Sequence, residues 1–300
     1  MADVIVADNL TKSYGARRGV AELAFSVAPG EVFGYLGPNG AGKTTTIRTL
    51  LDFLRPTSGR ASVFGLDSHR DSVQIHGRIG YLPGEFSLYD RMTGGEYLTY
   101  LANLRGGVPA GHIAGLAERL DLELGTRIKT LSHGNRQKLG LVQAFMHRPE
   151  LLILDEPTQG LDPLIQQVFY GLVAETRADG RTVFLSSHVL PEIERVCDRV
   201  GIIREGRLVA VEDIGDLHAK EIRTLEIHFA MPIRPDAFEG VAGVHRVEIV
   251  GDVARITVGG SMDAVIKRAA DFEIVDLQSH ELGLEEIFLT FYGKGENGGE

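Results

Sequence analysis

The sequence holds one cysteine, Cys197, among its 300 residues. A single cysteine excludes an internal disulfide, and such scarcity is typical of proteins that stay in a reducing compartment. Cys197 stands beside Val196 in the stretch ERVCDRV. We therefore expect it to be a small packing side chain rather than a nucleophile.

Long hydrophobic runs are also missing. A membrane-spanning helix needs roughly 20 consecutive apolar residues, whereas the candidates here, such as LLIL at 151–154, are only long enough for a strand. The opening MADVIVADNL lacks the basic and long apolar segments of a secretory signal. These absences predict a cytoplasmic location.

Positive charge is in short supply too. The formal net charge is −10, and the acidic excess is concentrated after residue 220. Broad nucleic-acid binding relies on a basic surface, so no nucleic-acid partner is expected. The acidic end is either a solvated face or a protein-binding surface, and the solvated face is the better explanation.

What the sequence does contain, up to about residue 210, is an alternation of short apolar runs and helical patterns. This rhythm is typical of an α/β domain. Four runs indicate a buried strand followed by a break: EVFGYLG (31–37), GRIGYLP (77–83), LLILDEP (151–157) and TVFLSSH (182–188). Residues from about 84 to 150 have a mainly helical pattern. The stretch VGIIREGRLVAVED predicts a hairpin that turns at Glu205-Gly206.

A second, smaller domain is predicted after the first. Residues 1–215 would form the α/β domain, and the polar, poorly patterned segment 216–222 is the best linker candidate. Residues 223–293 suggest a strand, a hairpin, a helix, a strand and a closing helix LEEIFLTFY, which together make a small α+β domain. Residues 294–300 are expected to be a flexible tail.

The stretch GPNGAGKT has the spacing G-x-x-x-x-G-K-T of a phosphate-binding loop, between a predicted strand and a predicted helix. The N–H groups of such a loop and the positive end of its helix bind phosphate oxygens. Lys43 can reach the β- and γ-phosphates, and the Thr44 hydroxyl can ligate Mg²⁺. The predicted nucleotide-binding residues in this loop are Gly37, Asn39, Gly40, Ala41, Gly42, Lys43, Thr44 and Thr45.

Two carboxylates, Asp155 and Glu156, follow the predicted strand LLIL. Alone they would indicate only a strand end with two solvated acids. A phosphate-binding loop, however, needs a carboxylate that holds the metal at the end of a neighbouring strand. Asp155 is the natural Mg²⁺ partner, through water, and Glu156 can orient or deprotonate the attacking water. His188 ends TVFLSSH and can bond a γ-phosphate oxygen. The predicted catalytic residues are therefore Lys43, Glu156 and His188.

In kind and in order, these motifs resemble the ATP-binding subunits of ABC transporters over residues 1–210. Tyr14, in TKSYG, matches the aromatic residue that stacks on adenine. The loop 37–44 matches Walker A, and 151–156 matches Walker B with its catalytic glutamate. His188 matches the switch histidine. Two further matches are GLD at 160–162, the D-loop, which adds Asp162, and LSHGN at 131–135, the signature usually written LSGGQ.

The resemblance implies an α/β P-loop ATPase domain of ABC type, with a mixed sheet core and a helical subdomain, followed by the small α+β domain. It implies ATP and Mg²⁺ as cofactors and an ATP-dependent, head-to-tail homodimer. In that dimer, Ser132 and the Gly134 N–H would cap the ATP held by the other chain. Integral membrane permease subunits would be separate proteins, and the chain would lie peripherally on the inner face of the cell membrane.

The sequence departs from the family pattern at several positions. His133 stands where glycine is usual, and Asn135 where glutamine is usual. Gly84 takes the place of the glutamine that touches Mg²⁺. The adjacent Glu85 can assume that metal role, although a second carboxylate near Glu156 brings like-charge repulsion. These departures leave nucleotide binding intact and bear on the rate of hydrolysis.

The stretch QSHELGLEEIFLTFYG resembles the end of the small domain appended to ATPases of drug exporters of the daunorubicin-resistance type. It implies export of drugs or other small hydrophobic molecules. The alternative is a soluble ABC ATPase that acts on ribosomes or DNA. Such proteins usually carry two ATPase units or a long coiled-coil insertion and a basic surface, which this chain lacks. A P-loop kinase or GTPase would leave LSHGN and His188 unexplained.

Overall fold

The computed structural model describes residues 2–15, 17–84, 89–219, 222–234 and 236–281. The chain divides into two compact units, Met1–Glu212 and Asp213–Glu300. The strands are β1 Ile5–Tyr14, β2 Arg17–Val27, β3 Val32–Leu36, β4 Ser58–Val63, β5 Leu66–Asp67, β6 Ile79–Leu82, β7 Leu151–Asp155, β8 Thr182–Ser187, β9 Arg199–Arg204, β10 Arg207–Asp213, β11 Ile222–Phe229, β12 Val244–Val250, β13 Val253–Gly259 and β14 Ile274–Glu281. The helices are α1 Lys43–Leu50, α2 Ser72–Gly77, α3 Gly94–Leu104, α4 Ala110–Arg119, α5 His133–Phe145, α6 Pro163–Ala178, α7 Leu190–Val196, α8 Ile214–Ala219 and α9 Asp263–Ala269.

The central sheet of the first unit has six strands in the order β10-β9-β3-β8-β7-β6. Strands β6, β7, β8, β3 and β9 run parallel. Such strands are covered on both faces, which explains their continuous apolar runs; β3 and β7 are buried throughout. The predicted hairpin is confirmed, because Glu205 and Gly206 turn between β9 and β10 with φ of 50° and 75°.

A second, antiparallel sheet in the order β2-β1-β4-β5 packs against the first. Aromatic rings fill the core between the two sheets: Phe25 of β2 stacks on Phe33 of β3 and Phe184 of β8, with centroids 5.8 and 6.1 Å apart. Cys197 is buried, and burial raises the pKa of its thiol, as expected of a packing residue. The mixed sheet core predicted from the sequence is confirmed.

The segment between β6 and β7 is helical, as predicted. It contains α3, α4, a 3₁₀ turn at Ile128–Thr130 and α5. A capping box starts α3: Thr93 Oγ1 accepts from the Glu96 N–H at 3.2 Å, and Glu96 Oε2 accepts from the Thr93 N–H at 2.7 Å. Across the described residues, none of the helices has the length and apolar character needed to cross a membrane.

The second unit contains an antiparallel sheet in the order β12-β13-β11-β14 and the helix α9, around a core of its own that includes Ile227 and Phe238. In the region of the predicted linker 216–222, α8 occupies Ile214–Ala219 and β11 begins at Ile222. The Asp213 carboxylate starts α8 by accepting from the N–H groups of Gly215 and Asp216, at 2.8 and 3.2 Å. The predicted closing helix LEEIFLTFY and the tail 294–300 lie outside the described residues.

Candidate functional site

The phosphate-binding loop connects β3 to α1 at the carboxyl edge of the central sheet. Two of its glycines leave no space for a side chain. A Cβ on Gly37 would lie 2.3 Å from the Ile203 carbonyl oxygen, and one on Gly42 would lie 2.6 Å from Val20 Cγ1. Gly42 also has φ of 110°, a conformation that favours glycine. The loop therefore curls tightly, and its N–H groups and the start of α1 can surround a phosphate.

The other predicted loop residues differ in exposure. Asn39 and Gly40 are exposed, whereas Ala41 is buried and its carbonyl accepts from the Gly206 N–H at 2.9 Å. The hairpin turn between β9 and β10 therefore braces the loop. Thr45 is half-buried on α1, and its carbonyl accepts from the Thr49 hydroxyl at 2.7 Å.

Lys43 is buried at the first position of α1. Its Nζ donates to the carbonyl oxygens of Gly37 at 2.5 Å and Pro38 at 3.3 Å, and lies 3.1 Å from Glu156 Oε1. The ammonium is thus held inside the curl of the loop by carbonyl groups of the loop itself. A cation in this position can meet phosphate oxygens that enter the loop.

Asp155 ends β7 and is fully buried, with both carboxylate oxygens hydrogen-bonded. Thr44 Oγ1 donates to Oδ2 at 2.8 Å, and Ser186 Oγ donates to Oδ1 at 2.6 Å. The parallel register of β7 and β8 sets Ser186 opposite Asp155. Ser186 was not anticipated from the sequence, because only the pairing of the two strands brings it to this carboxylate.

Glu156 follows β7 in a conformation unusual for a residue with a side chain, with φ of 51°. Its N–H donates to the carbonyl of Ser186 at 3.2 Å and to the Ser186 hydroxyl at 3.1 Å. On the opposite side, Gln137 Nε2 donates to the carbonyls of Glu156 and Pro157, both at 3.1 Å. Gln137 was also missed, since a glutamine inside a helical pattern carries no signal of such a contact.

The Glu156 carboxylate lies between the Lys43 ammonium and the His188 imidazole. Its Oε2 lies 2.8 Å from His188 Nδ1, and its Oε1 forms the 3.1 Å ion pair with Lys43. Oε1 is buried beside the Lys43 ammonium, whose shortest hydrogen bond goes to the Gly37 carbonyl. An ionised carboxylate carries acceptor sites only, so it can receive a proton from water.

Gly84 lies against the Asp155 carboxylate. A Cβ at Gly84 would come within 3.3 Å of Asp155 Oδ2, so the position is next to the predicted metal ligand. The pKa of Tyr81 is raised to about 12, first by burial of the phenol and next by the negative charge of Asp155. Glu85, the other predicted metal ligand, lies outside the described residues.

The ligand chemistry around Thr44 and Asp155 fits magnesium. Among the described residues there is no cluster of three or more His, Cys, Asp or Glu side chains that could hold a metal ion. A hydroxyl and one carboxylate are instead the small set of hard oxygen ligands typical of Mg²⁺ in phosphate-transferring sites, where substrate oxygens and water supply the rest. The residues present therefore fit Mg²⁺ bound together with a nucleotide.

Tyr14 ends β1 with its ring 45% exposed. The ring packs on Gly19 of β2, because a Cβ on Gly19 would lie 2.8 Å from Tyr14 Cε2. Gly19 also adjoins the phosphate-binding loop, since its carbonyl oxygen would lie 3.1 Å from a Cβ on Gly42. The exposed Tyr14 ring is thus separated from the phosphate-binding loop by Gly19.

The signature turn LSHGN precedes α5. The Ser132 hydroxyl accepts from the Asn135 N–H at 3.2 Å, which caps the helix, and Ser132 is exposed. The turn contacts the D-loop of its own chain at Gly160: a Cβ on Gly134 would lie 2.7 Å from the Gly160 carbonyl oxygen, and a Cβ on Gly160 would lie 2.5 Å from His133 Cδ2.

Asp162, in the D-loop, is the N-cap of α6. Its Oδ1 accepts from the N–H groups of Leu164 and Ile165 at 3.0 and 3.1 Å. The structure therefore gives this carboxylate a local role in starting a helix, and Pro163 follows at the first helical position, as is common.

The sequence and fold were compared with known proteins. The profile of the ABC transporter family matches residues 20–159. The bacitracin transport ATP-binding protein BcrA of Bacillus licheniformis is 33% identical over 99% of this chain and 100% of its own length. The linearmycin resistance ATP-binding protein LnrL of Bacillus subtilis (strain 168) is 31% identical over 97% of this chain and 99% of its own length. A solved structure of the ATP-binding subunit of an ABC transporter aligns with a TM-score of 0.67 and 30% identity, over 72% of this chain and 92% of its own. The chain therefore belongs to the ABC transporter family, as an ATP-binding subunit that binds and hydrolyses ATP.

Proposed function

We propose that this chain powers an exporter of drugs or other small hydrophobic molecules, and that Glu156 is the general base of its ATP hydrolysis. The observation that carries the catalytic assignment is the position of the Glu156 carboxylate, 3.1 Å from Lys43 Nζ and 2.8 Å from His188 Nδ1. Its buried Oε1 can take the proton of an attacking water, while His188 keeps the carboxylate oriented.

The remaining groups of the site bind and neutralise the nucleotide. The loop N–H groups and Lys43 bind the β- and γ-phosphates, and Tyr14 stacks on the adenine. Thr44 and Asp155 would hold Mg²⁺, with Ser186 fixing the Asp155 carboxylate. The metal would supply positive charge that offsets the negative charge of the phosphate groups.

ATP is enclosed in a head-to-tail homodimer. The exposed N-terminus of α5 supports this proposal, because Ser132 caps the helix and the amides of the first turn can receive an anion. In this arrangement the partner's Ser132 and the partner's Gly134 complete the site around the γ-phosphate, and Asp162 lies at the same interface. Binding of ATP would then close the dimer, and hydrolysis would reopen it.

A permease helix docks in a groove beside the central sheet. The groove has a volume of about 210 Å³, and its lining includes Phe53, Tyr81, Leu101 and Arg105. Phe53 is 55% exposed and its ring centroid lies 5.6 Å from that of Tyr81, so the groove presents aromatic surface to solvent. Tyr81 lies close enough to Asp155 for the negative charge of that carboxylate to contribute to the raised pKa of Tyr81. A short apolar helix of a membrane-spanning subunit fits this surface.

The class of cargo follows from the relatives. Two proteins that match the chain over almost its whole length carry names that refer to bacitracin transport and linearmycin resistance. By this likeness we assign the chain to an exporter of antibiotic-like molecules. The cargo itself would bind the membrane subunits, so the residues of this chain do not select it.

The catalytic assignment is tested with Glu156→Gln. Loss of a general base typically slows turnover by about 10²–10⁴-fold, so this variant should bind ATP and yet release almost no phosphate. Glu150→Gln is the matched control, because the Glu150 carboxylate forms a surface ion pair with Arg78 at 2.7 Å. Turnover of Glu156→Gln at the level of the control would overturn the assignment.

The transport assignment is tested by affinity capture. Tagged Glu156→Gln protein is incubated with MgATP and native membranes, and the captured proteins are identified by mass spectrometry. A membrane protein with several spans is expected, and its capture should fall when Leu101→Asp is added in the groove. Capture of ribosomal proteins or DNA-repair factors without a membrane protein would instead favour a soluble ABC ATPase.

A further inference from the structure

Gln137 of α5 is a buried polar residue of the first unit, with 3% of its surface exposed. Its amide is directed out of the helical subdomain towards the end of β7. There Nε2 donates to two successive carbonyl oxygens, those of Glu156 and Pro157, both at 3.1 Å. Both N–H bonds of the side-chain amide are thus used on the peptide groups that follow the Walker B strand.

These two peptide groups need external support. Glu156 has φ of 51°, and residues other than glycine keep this conformation only where their surroundings hold them in it. One side of the turn is held by β8, through the bonds from the Glu156 N–H to the backbone and side chain of Ser186. The other side is held by Gln137. The turn that aims the Glu156 carboxylate is therefore clamped between the sheet and α5.

We propose that Gln137 is a positioning residue for hydrolysis, which sets the direction of the Glu156 carboxylate through its backbone; this inference rests on the proposed role of Glu156 as the base. In the described part of the chain, the hydrogen bonds of Gln137 go to these two backbone carbonyls and not to the Glu156 carboxylate or the phosphate-binding loop. Without its two bonds, the peptide groups of Glu156 and Pro157 can rotate, and the carboxylate moves away from Lys43 and His188. ATP binding does not depend on this turn. We therefore expect the rate of hydrolysis to fall and the affinity for ATP to stay the same.

The first variant is Gln137→Met in the full-length chain, because methionine has nearly the same volume and no N–H group. We expect kcat to fall about 10- to 100-fold, the cost of a small misplacement of a reacting group, while the KM for ATP and the affinity for ATP stay within about twofold. The matched control is Gln143→Met on the same helix, where Gln143 accepts from the Tyr97 hydroxyl at 2.6 Å. Equal kcat values in Gln137→Met and the control would overturn the proposal.

A double-mutant cycle separates positioning from a general loss of structure. Single-turnover hydrolysis is measured for Gln137→Met in the wild-type chain and in the Glu156→Gln background. If Gln137 acts through the base, its replacement should have almost no further effect once the base is gone, because groups that act as a unit are non-additive. A loss of the same size in both backgrounds would contradict the proposal.

Gln137→Glu provides a second route that does not depend on the folding of the methionine variant. The introduced carboxyl has the shape of the amide; ionised it repels the two carbonyls, and protonated it donates to one of them. The ratio of the kcat of this variant to that of wild type should therefore rise as the pH falls. A ratio that does not change with pH would contradict the proposal that Gln137 holds the turn. If Glu156→Gln itself retains full turnover, the proposed base is wrong; if only the Gln137 variants retain it, this inference alone fails.

Discussion

His188 Nδ1 and Glu156 Oε2 lie 2.8 Å apart, although the two residues are 32 positions apart in the chain. They meet because β7 and β8 are parallel neighbours and each residue follows the carboxyl end of its strand. The Glu156 side chain is 14% exposed and that of His188 is 41% exposed. The histidine thus covers the carboxylate from the solvent side and fixes the direction of one of its oxygens.

His188→Ala should lower kcat by at least about 10-fold, since the carboxylate loses its only side-chain hydrogen bond among the described residues. His188→Asn should retain more activity, because the asparagine amide can donate from nearly the position of Nδ1. Steady-state phosphate release at saturating ATP measures both. An alanine variant as active as wild type would show that His188 does not orient the base.

Ser186→Ala should weaken the response to magnesium. The variant removes the 2.6 Å bond to Asp155 Oδ1, and loss of such an outer partner typically costs about 10–100-fold in metal affinity. The Mg²⁺ concentration for half-maximal ATPase activity should therefore rise about 10-fold. Ser187→Ala is the control, because Ser187 is equally buried but donates to Glu192. A similar shift in both variants would show that the bond from Ser186 to Asp155 has no specific effect on the response to Mg²⁺.

Tyr14→Ala should raise the KM for ATP about 2- to 10-fold with little change in kcat, the expected effect of losing one aromatic stacking contact. Tyr14→Phe keeps the ring and should behave as wild type. Fluorescence titration with a labelled nucleotide provides an independent affinity. Equal KM values for the alanine and phenylalanine variants would show that the exposed ring does not contact the base.

His147 should make the fold sensitive to acid. Burial first, and the charge of Arg105 next, lower the pKa of His147 to about 4, from about 6.5 in an unfolded chain. Between these values the unfolded chain binds the proton and the folded chain does not, so this residue stabilises the fold fully above about pH 6.5 and loses that effect as the pH falls towards about 4.

The thermal midpoint of the full-length chain, measured from pH 7 to pH 4, should fall less steeply in His147→Gln than in wild type. Glutamine does not titrate, and its amide can keep the bond that His147 Nε2 makes with the Ile79 carbonyl at 3.1 Å. Superimposable pH profiles would show that His147 contributes nothing to the acid sensitivity.

The strands, the phosphate-binding loop and the family could all be predicted from the amino-acid sequence. Buried parallel strands carry continuous apolar runs, and the loop motif and the carboxylate pair are local patterns, so 31–37, 151–157 and 182–188 could be interpreted without coordinates. The fold prediction was confirmed on these strands and on the helical segment between β6 and β7. The helix α8 was not predicted, because the Asp213 cap, a local side-chain bond, starts it in a segment without apolar periodicity.

Which side chains act on the carboxylates depends on the packing of strands and helices, so these contacts could not be predicted from the sequence. Ser186 reaches Asp155 through strand register, Gln137 reaches Glu156 across the boundary between the helical segment and the sheet, and Gly84 lies against Asp155. None of these contacts follows from a motif, because each joins residues that are at least 19 positions apart in the chain. Local sequence specifies which groups are present; the register of the parallel strands and the packing of α5 set the distances between them, and those distances determine what chemistry the site can perform.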